Sequence, residues 1–522
     1  MTDKVIVTNI SALKTKYGEK TDDVLSAVER LISADKLRGL DTVMIPLDDQ
    51  DEMGKIGGIA VANPIDPMEN KEAIDSVYNA LLPDYLVLLG SIDVIPHQDM
   101  ANPVFNSGED DDVLADGDLP YACDSGYSQD AEDFIGPTRA VGRIPDLTGA
   151  TDPGYLINLL ETAITATSRP LTDFAGYFGI SAAVWRGSTR LSLRNIFGTH
   201  TSLLLSPLDG PNWLSNQINK RLHFINCHGA PATHQFFGQS GNSFPPSHDA
   251  SLLTSNIEEG TVVAAECCFG AELYDPFLLG GGQMGICSTY LAEKAYGFFG
   301  STTIAYGPAN TNGAADLICQ YFLKSVLGGA SLGRAALEAR QKFASSSSQL
   351  DPVDLKTLAQ FNLLGDPSIC PVAGATPTKS IPVNSEEIGG EVHNIERKER
   401  RQQLRSKGRW LEQSQPVVST KSYSEDSAEI TSTMQNIADK FELKGSKLLS
   451  FQIKNPALSE DTLLSKSLKA TAFHVLQGRG PSELEDFQDN GSSEQNSMNP
   501  MICIVAKEVN GKIVSFRELH KK

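Results

Sequence analysis

Positive charge is scarce in this sequence. Of 522 residues, 44 are Lys or Arg against 65 Asp or Glu, giving a formal net charge of -21 and a pI near 4.9. Neutralising a phosphate backbone needs clustered Lys and Arg, so nucleic acid is not an expected partner. Long apolar runs are missing too, and the first residues, MTDKVIVTNISALKTKYGEK, lack a basic start followed by an apolar core. Neither a secretory signal nor a membrane span is therefore expected. Cysteine is sparse, at positions 123, 227, 267, 268, 287, 319, 370 and 503, without paired spacing. That argues against a disulfide scaffold and for a cytoplasmic protein with free thiols. GQSGN at 238–242 is not a Gly-x-Ser-x-Gly elbow, and Gly280-Gly281-Gly282 lacks the Lys-Ser/Thr of a phosphate loop.

What is present is alternation. KVIVTNI, DTVMIPL and DYLVLLG read as strands, and TDDVLSAVERLISADKL and NKEAIDSVYNALL as amphipathic helices. Val24, Val28, Leu31 and Ile32 share one face of the first helix. A second block repeats the pattern. FAGYFGISAAVW, LHFINC, TVVAAEC and STTIAYG read as strands, NWLSNQINKR and YLAEKAYGFF as helices, and Ala314 to about Ala344 as one long helical stretch. Such alternation predicts an α/β fold with a parallel sheet flanked by helices, as one unit or two packed ones. Between the blocks runs a long acidic loop, NSGEDDDVLADGDLPYACDSGYSQDAED. Its run Glu109–Asp112, with Asp116, reads as a solvated loop, and its carboxylates also suit a calcium ion. No other cofactor is expected.

Near residue 374 the composition turns polar and breaker-rich, and ERKERRQQLRSKGR at 396–409 brings seven Arg or Lys together. The division predicted is an N-terminal α/β subdomain at 1–150, a second α/β domain at 151–373, a linker with the basic stretch at 374–415, and a smaller α+β module at 416–522. In that module SELEDFQDNGSSEQNSMN reads as a disordered insertion. The basic stretch reads as an exposed segment open to nicking.

Two strand ends carry chemistry. LHFINCHGA places His228-Gly229 after one apolar strand, and TVVAAECCFGA places Cys267-Cys268 and Gly270 after another. Ligands bind at the carboxyl ends of parallel strands, so neighbouring strands would bring imidazole and thiol together. An imidazole helps generate a nucleophilic thiolate. Glycine amides at Gly229 and Gly270 can face a developing oxyanion. Strand alternation lets only one of the two cysteines point into the site. A metal site is not expected. Cys227, His228, His234, His248 and the cysteine pair show no Cys-x-x-Cys or His-x-x-x-His spacing. His223, within its strand, reads as a packing residue.

These residues resemble the caspase-like cysteine peptidases, and gingipain-like peptidases most of all, over roughly residues 80–373. The likeness rests on His-Gly and cysteine-glycine elements in that order, with DYLVLLGSIDVIP, DGDLPYA, AVGRIPD, GSTTIAYGPANTNGAADL and FNLLGDPSICP around them. It implies a caspase-hemoglobinase-like sheet and a cysteine endopeptidase acting on a protein or peptide. His228 would be the base and Gly229 an oxyanion donor. Glu266-Cys267-Cys268 is similar to the Asp-Cys-Cys of some metacaspases, which favours Cys268. The Cys-x-x-Gly spacing of other relatives would fit Cys267. By the same resemblance Asp118, in DLPY, would form the base of a pocket for Arg or Lys. Autoprocessing in the basic stretch, and gating by a partner or ligand on the C-terminal module, would restrain such an enzyme. The rival reading is an inert adaptor that uses this fold for binding.

Overall fold

In the computed structural model the structure describes residues 2–279, 281–373, 386–420, 426–454, 471–481 and 500–522, with side chains from residue 396 onward in the helix that begins at Glu386. Its strands, in chain order, are β1 Lys4–Thr8, β2 Thr42–Pro46, β3 Tyr85–Leu89, β4 Val141–Ile144, β5 Phe178–Ala182, β6 Leu203–Ser206, β7 Leu222–Asn226, β8 Gln235–Phe237 and β9 Pro246–Asp249. They continue with β10 Val262–Ala265, β11 Gly297–Ser301, β12 Tyr306–Gly307, β13 Phe361–Leu364, β14 Val417–Val418, β15 Lys444–Lys454, β16 Thr471–Arg479, β17 Met501–Val509 and β18 Lys512–Lys521.

The expected α/β sheet flanked by helices is what the chain forms. Ten strands lie in the order β2-β1-β3-β4-β13-β11-β10-β7-β5-β6. Neighbours are parallel except at one seam, where β13 runs parallel to β4 and antiparallel to β11. The sheet is therefore two internally parallel halves of opposite direction, sealed by β13. The central strands β3, β7, β10 and β11 are buried along their whole length, as a sheet covered on both faces requires.

Several local expectations change. The stretch from Ala314 to Ala344 is two helices, Ala314–Leu327 and Leu332–Ala344, because Gly328-Gly329 breaks it. The helix expected at YLAEKAYGFF lies earlier, at Ile286–Ala292, and its GFF belongs to β11. NWLSNQINKR yields one short turn, Ser215–Ile218.

The second sheet runs β12-β18-β17-β16-β15-β14 and is antiparallel. Side chains alternate along β17. Ile502, Ile504 and Ala506 pack with Ile430, Met434 and Ile437 of the helix Ala428–Lys440. Met501, Cys503 and Val505 join the main core. Period-two alternation with both faces apolar means a strand sandwiched between two layers. The C-terminal sheet is thus fastened to the α/β body, and its edge partner β12 comes from that body.

The basic stretch is not an exposed linker. It lies in a helix, Glu386–Ser414, with Leu404 and Leu411 buried. Arg401 pairs with Asp84 at 3.0 Å, Arg400 with Glu338 at 2.7 Å and Arg409 with Asp124 at 3.0 Å. The insertion at 482–499 and the first part of the linker, 374–385, lie outside the described residues. Among the described residues no helix is long and apolar enough to cross a membrane.

Candidate active site

The two chemical strand ends are neighbours. β7 and β10 pair in parallel from Leu222↔Val262 to Ile225↔Ala265, and the Glu266 amide extends the ladder to the Ile225 carbonyl at 2.8 Å. Continuing this register sets Cys268 level with His228. The backbones then close tightly, and any Cβ on Gly229 would collide with the Cys268 carbonyl. Only glycine fits there, whatever its φ. Phe269, next after the cysteines, turns the chain out of the strand at a left-handed φ of 54°.

Alternation separates the thiols. Cys267 Sγ lies 3.9 Å from the Ile225 carbonyl of β7, inside the core. Cys268 Sγ accepts from the Ala305 amide at 3.2 Å, in the segment leading to β12. Both residues are fully buried. Burial pushes the Cys268 thiol up to about 11, against a smaller opposing pull from Lys521. At neutral pH it is a thiol and not a thiolate.

His228 stands half-buried on a cleft of about 620 Å³ that it shares with Gly229, Trp185, Phe244 and Phe269. Its ring packs 4.2 Å from the Trp185 ring and 4.9 Å from Phe244. Its Nε2 is 2.7 Å from the Gln239 side-chain oxygen. An amide oxygen accepts, so Nε2 carries the proton in the neutral ring and Nδ1 is left as the free base. Burial pushes this imidazole down to about 3, and nearby Lys522 and Lys521 add to the effect while the Gln239 bond opposes it.

The same cleft is lined by the C-terminal sheet. Tyr306 and Gly307 of β12 pair with Lys521 and His520 of β18, and the Lys522 amide donates to the Ala305 carbonyl at 3.0 Å. The Lys522 ammonium is wholly buried. It reaches Asn226 Oδ1 at 2.9 Å, Glu266 Oε2 at 3.1 Å and Asp316 Oδ1 at 3.2 Å, and lies 4.8 Å from the Trp185 ring centroid. Burial and the facing Asp316 push the Glu266 carboxyl up, with Lys522 opposing. No local sequence pattern joins Lys522, Trp185 and Asp316 to the cysteine pair, and only tertiary structure reveals them.

Asp118 is placed otherwise than expected. It is buried, and the Arg143 guanidinium holds both its oxygens, Nε to Oδ2 at 2.9 Å and Nη2 to Oδ1 at 2.5 Å. Burial alone would push this carboxyl up, but Arg143 outweighs it and holds the carboxyl below its usual range. No oxygen is left open to a substrate cation. The acidic loop is not simply solvated either. Asp110 is buried, takes two bonds from Lys356 at 2.6 and 2.8 Å, and accepts from the Tyr306 hydroxyl at 2.8 Å. Asp112 accepts from the Ile304 amide at 2.7 Å. These carboxylates brace the segment that carries Ala305 and β12. Among the described residues no three His, Cys, Asp or Glu side chains are grouped to hold a metal ion.

Two further histidines, His223 and His248, are held neutral by burial and form a hydrogen-bonded chain. Trp213 donates to His248 Nδ1 at 3.1 Å, Tyr290 lies between His248 Nε2 at 2.8 Å and His223 Nδ1 at 2.7 Å, and His223 Nε2 reaches the Lys220 carbonyl at 3.0 Å. His223 is structural, as its place within the strand implies.

No curated protein matches the sequence. A solved structure described as "Structure of Protease" aligns with 99% of this chain and 97% of its own at 13% identity, with a TM-score of 0.46. Residues 212–371, which hold His228, Gly229 and both cysteines, match the model of Peptidase family C25, and that match supports a cysteine peptidase.

Proposed function

We propose that the protein is a cysteine endopeptidase with Cys268 as nucleophile and His228 as base. The observation that carries this reading is the meeting of the two strand ends. Cys268 faces the Ala305 segment, next to the cleft that holds His228, while Cys267 faces the core. His228 would take the thiol proton on Nδ1 as sulfur attacks the scissile carbonyl. The Gly229 and Cys268 amides would receive the oxyanion. The imidazolium would then protonate the leaving amine, and water would hydrolyse the acyl-enzyme to acid and free thiol. This chemistry calls on no cofactor.

The substrate is a protein or peptide, cut after Arg or Lys. The cleft lining carries Glu109 and Glu518 alongside Arg479, Lys521 and Lys522, so the preference is drawn from the family resemblance and not from an acidic wall, and Asp118 is not part of it. Processing within the basic stretch would require its docked helix to unwind first. Intact-mass measurement after treatment with a P1-Lys chloromethylketone tests the assignment. Activated wild type and Cys267→Ala should gain one label, and Cys268→Ala none. Labelling of Cys268→Ala would move the nucleophile to Cys267. Absence of label in every activated form would favour the inert adaptor. Peptides with P1 Arg, Lys, Asp and Leu test specificity, and preferred cleavage after Asp would sink it.

A further inference from the structure

The ammonium of Lys522 is fully buried, as are those of Lys4, Lys71 and Lys356, but it alone of the four comes from the C-terminal sheet and lines the cleft. Lysine is almost never fully buried unless it is paired. Its partners are two carboxylates at the end of the strand that carries the proposed nucleophile and on the adjacent helix Ala314–Leu327. Glu266 Oε1 and Asp316 Oδ2 receive no donor from the rest of the protein, and the two carboxyls lie close enough to hydrogen-bond each other, which adds to burial in pushing Glu266 up. One shared proton and one ammonium satisfy the nest as it stands. An arriving guanidinium or ammonium would take the place of Lys522 and its bonds.

The route into the nest is shaped for a side chain arriving from an extended segment. Residues 520–522 lie antiparallel to 305–307, held by strand pairing and by the bond from the Lys522 amide to the Ala305 carbonyl. The Ala305 amide is the group that donates to Cys268 Sγ. One residue therefore supplies its carbonyl to the backbone of Lys522 and its amide to the thiol. An extended peptide added to an exposed edge is held in this way, with main-chain bonds fixing position and a pocket reading the side chain. Gly307 keeps the path clear, since a Cβ there would collide with Lys522 Cε. Trp185 closes the nest over the cation.

We infer that the Glu266–Asp316–Asn226 nest under Trp185 is a binding site for the cationic side chain of a substrate, and that Lys522 on β18 is its resident occupant. The inference rests on the peptidase reading for the word substrate, but not for the nest itself. Withdrawal of residues 518–522 would open the nest, the cleft and Cys268 at once. The chain thus carries its own competitor, and whatever releases β18 from β12 sets the enzyme free.

Two measurements on the full chain test this. The first needs no catalysis. Lys522→Ala empties the nest, and n-butylamine should raise the melting temperature of that variant in a saturable way while leaving wild type unmoved. Lys522→Met, which keeps the bulk and loses the charge, should not respond. Equal response of all three proteins, or none in Lys522→Ala, overturns the nest as a cation site. The second reads access. Alkylation of Cys268 by the P1-Lys chloromethylketone should rise about tenfold or more in Lys522→Ala, as expected when a closed state opens. Adding Asp316→Asn to Lys522→Ala should reverse that gain for the P1-Lys reagent but not for iodoacetamide. An unchanged rate in Lys522→Ala overturns the occupant role. Butylamine rescue without any chloromethylketone labelling would overturn the peptidase reading and keep the nest.

Discussion

Two buried carboxylate sites in this molecule meet a cation in different ways. Asp118 has both oxygens taken by Arg143, in a bidentate pair within the α/β body. Glu266 and Asp316 share one ammonium, brought by a residue more than 200 positions along the chain, and face each other closely enough to share a proton. The first is closed by its own geometry. The second depends on a cation that another sheet brings. A carboxylate near a peptidase cleft is therefore poor evidence for a specificity pocket until the satisfaction of its oxygens is known. By that criterion Asp118 belongs to the frame.

The sharpest way to break the comparison is Arg143→Met, which strands Asp118 in the core. We expect a loss of about 3–5 kcal/mol, or no folded protein at all, by urea denaturation. A loss below about 1 kcal/mol would show that Asp118 can find another partner.

Glu272 is the test of a carboxylate with no cation partner among the described residues. It accepts from the Ala232 amide at 2.7 Å, and burial pushes its carboxyl up to about 7. A raised folded value means its contribution favours folding most below the ordinary value of 4.5 and is lost as pH rises through about 7. Between pH 4.5 and pH 8, wild type should therefore lose on the order of 2 kcal/mol relative to Glu272→Gln, allowing for partial exposure. Parallel stability curves for the two proteins would contradict it.

Lys522→Met should cost only about 1–2 kcal/mol, less than Arg143→Met, because the two carboxylates it leaves can share a proton. A loss as large as that of Arg143→Met would erase the distinction between frame and socket. The smallest effect belongs to the surface. Arg400 and Glu338 form an exposed pair, so Arg400→Gln should cost at most about 1 kcal/mol in the same assay.

Much of the framework was legible in local pattern. TDDVLSAVERLISADKL forms the helix Thr21–Leu37, with its apolar face inward and Asp22 and Asp23 in the first turn. Strand runs around β1, β3, β7 and β10 were visible because a doubly covered strand must be apolar throughout. The neighbouring of His228 and the cysteine pair followed from two strand ends of similar form. The helix Glu386–Ser414 was not legible, because it meets the body mainly through arginines and two leucines seven positions apart. The acidic loop misled for a related reason. Its charges read as solvated, while their partner Lys356 lies about 240 residues away. Lys522 left no trace at all, since a lone lysine at a strand end has no signature.

Strand β13 has a consequence for how the protein is made. It alone joins the half-sheet β2-β1-β3-β4 to the half-sheet β11-β10-β7-β5-β6, and it is supplied by residues 361–364, after all nine others. During synthesis the growing chain must carry two bare sheet edges, at β4 and at β11, until that strand emerges and closes both. Unpaired edges recruit other strands, so a nascent chain stalled before Phe361 is the form most exposed to aggregation. The strand that completes the frame is translated well ahead of β18, whose last residues line the cleft. On the proposal that β18 carries the cleft's own occupant, each new molecule passes through an interval in which its sheet is whole and its cleft unoccupied.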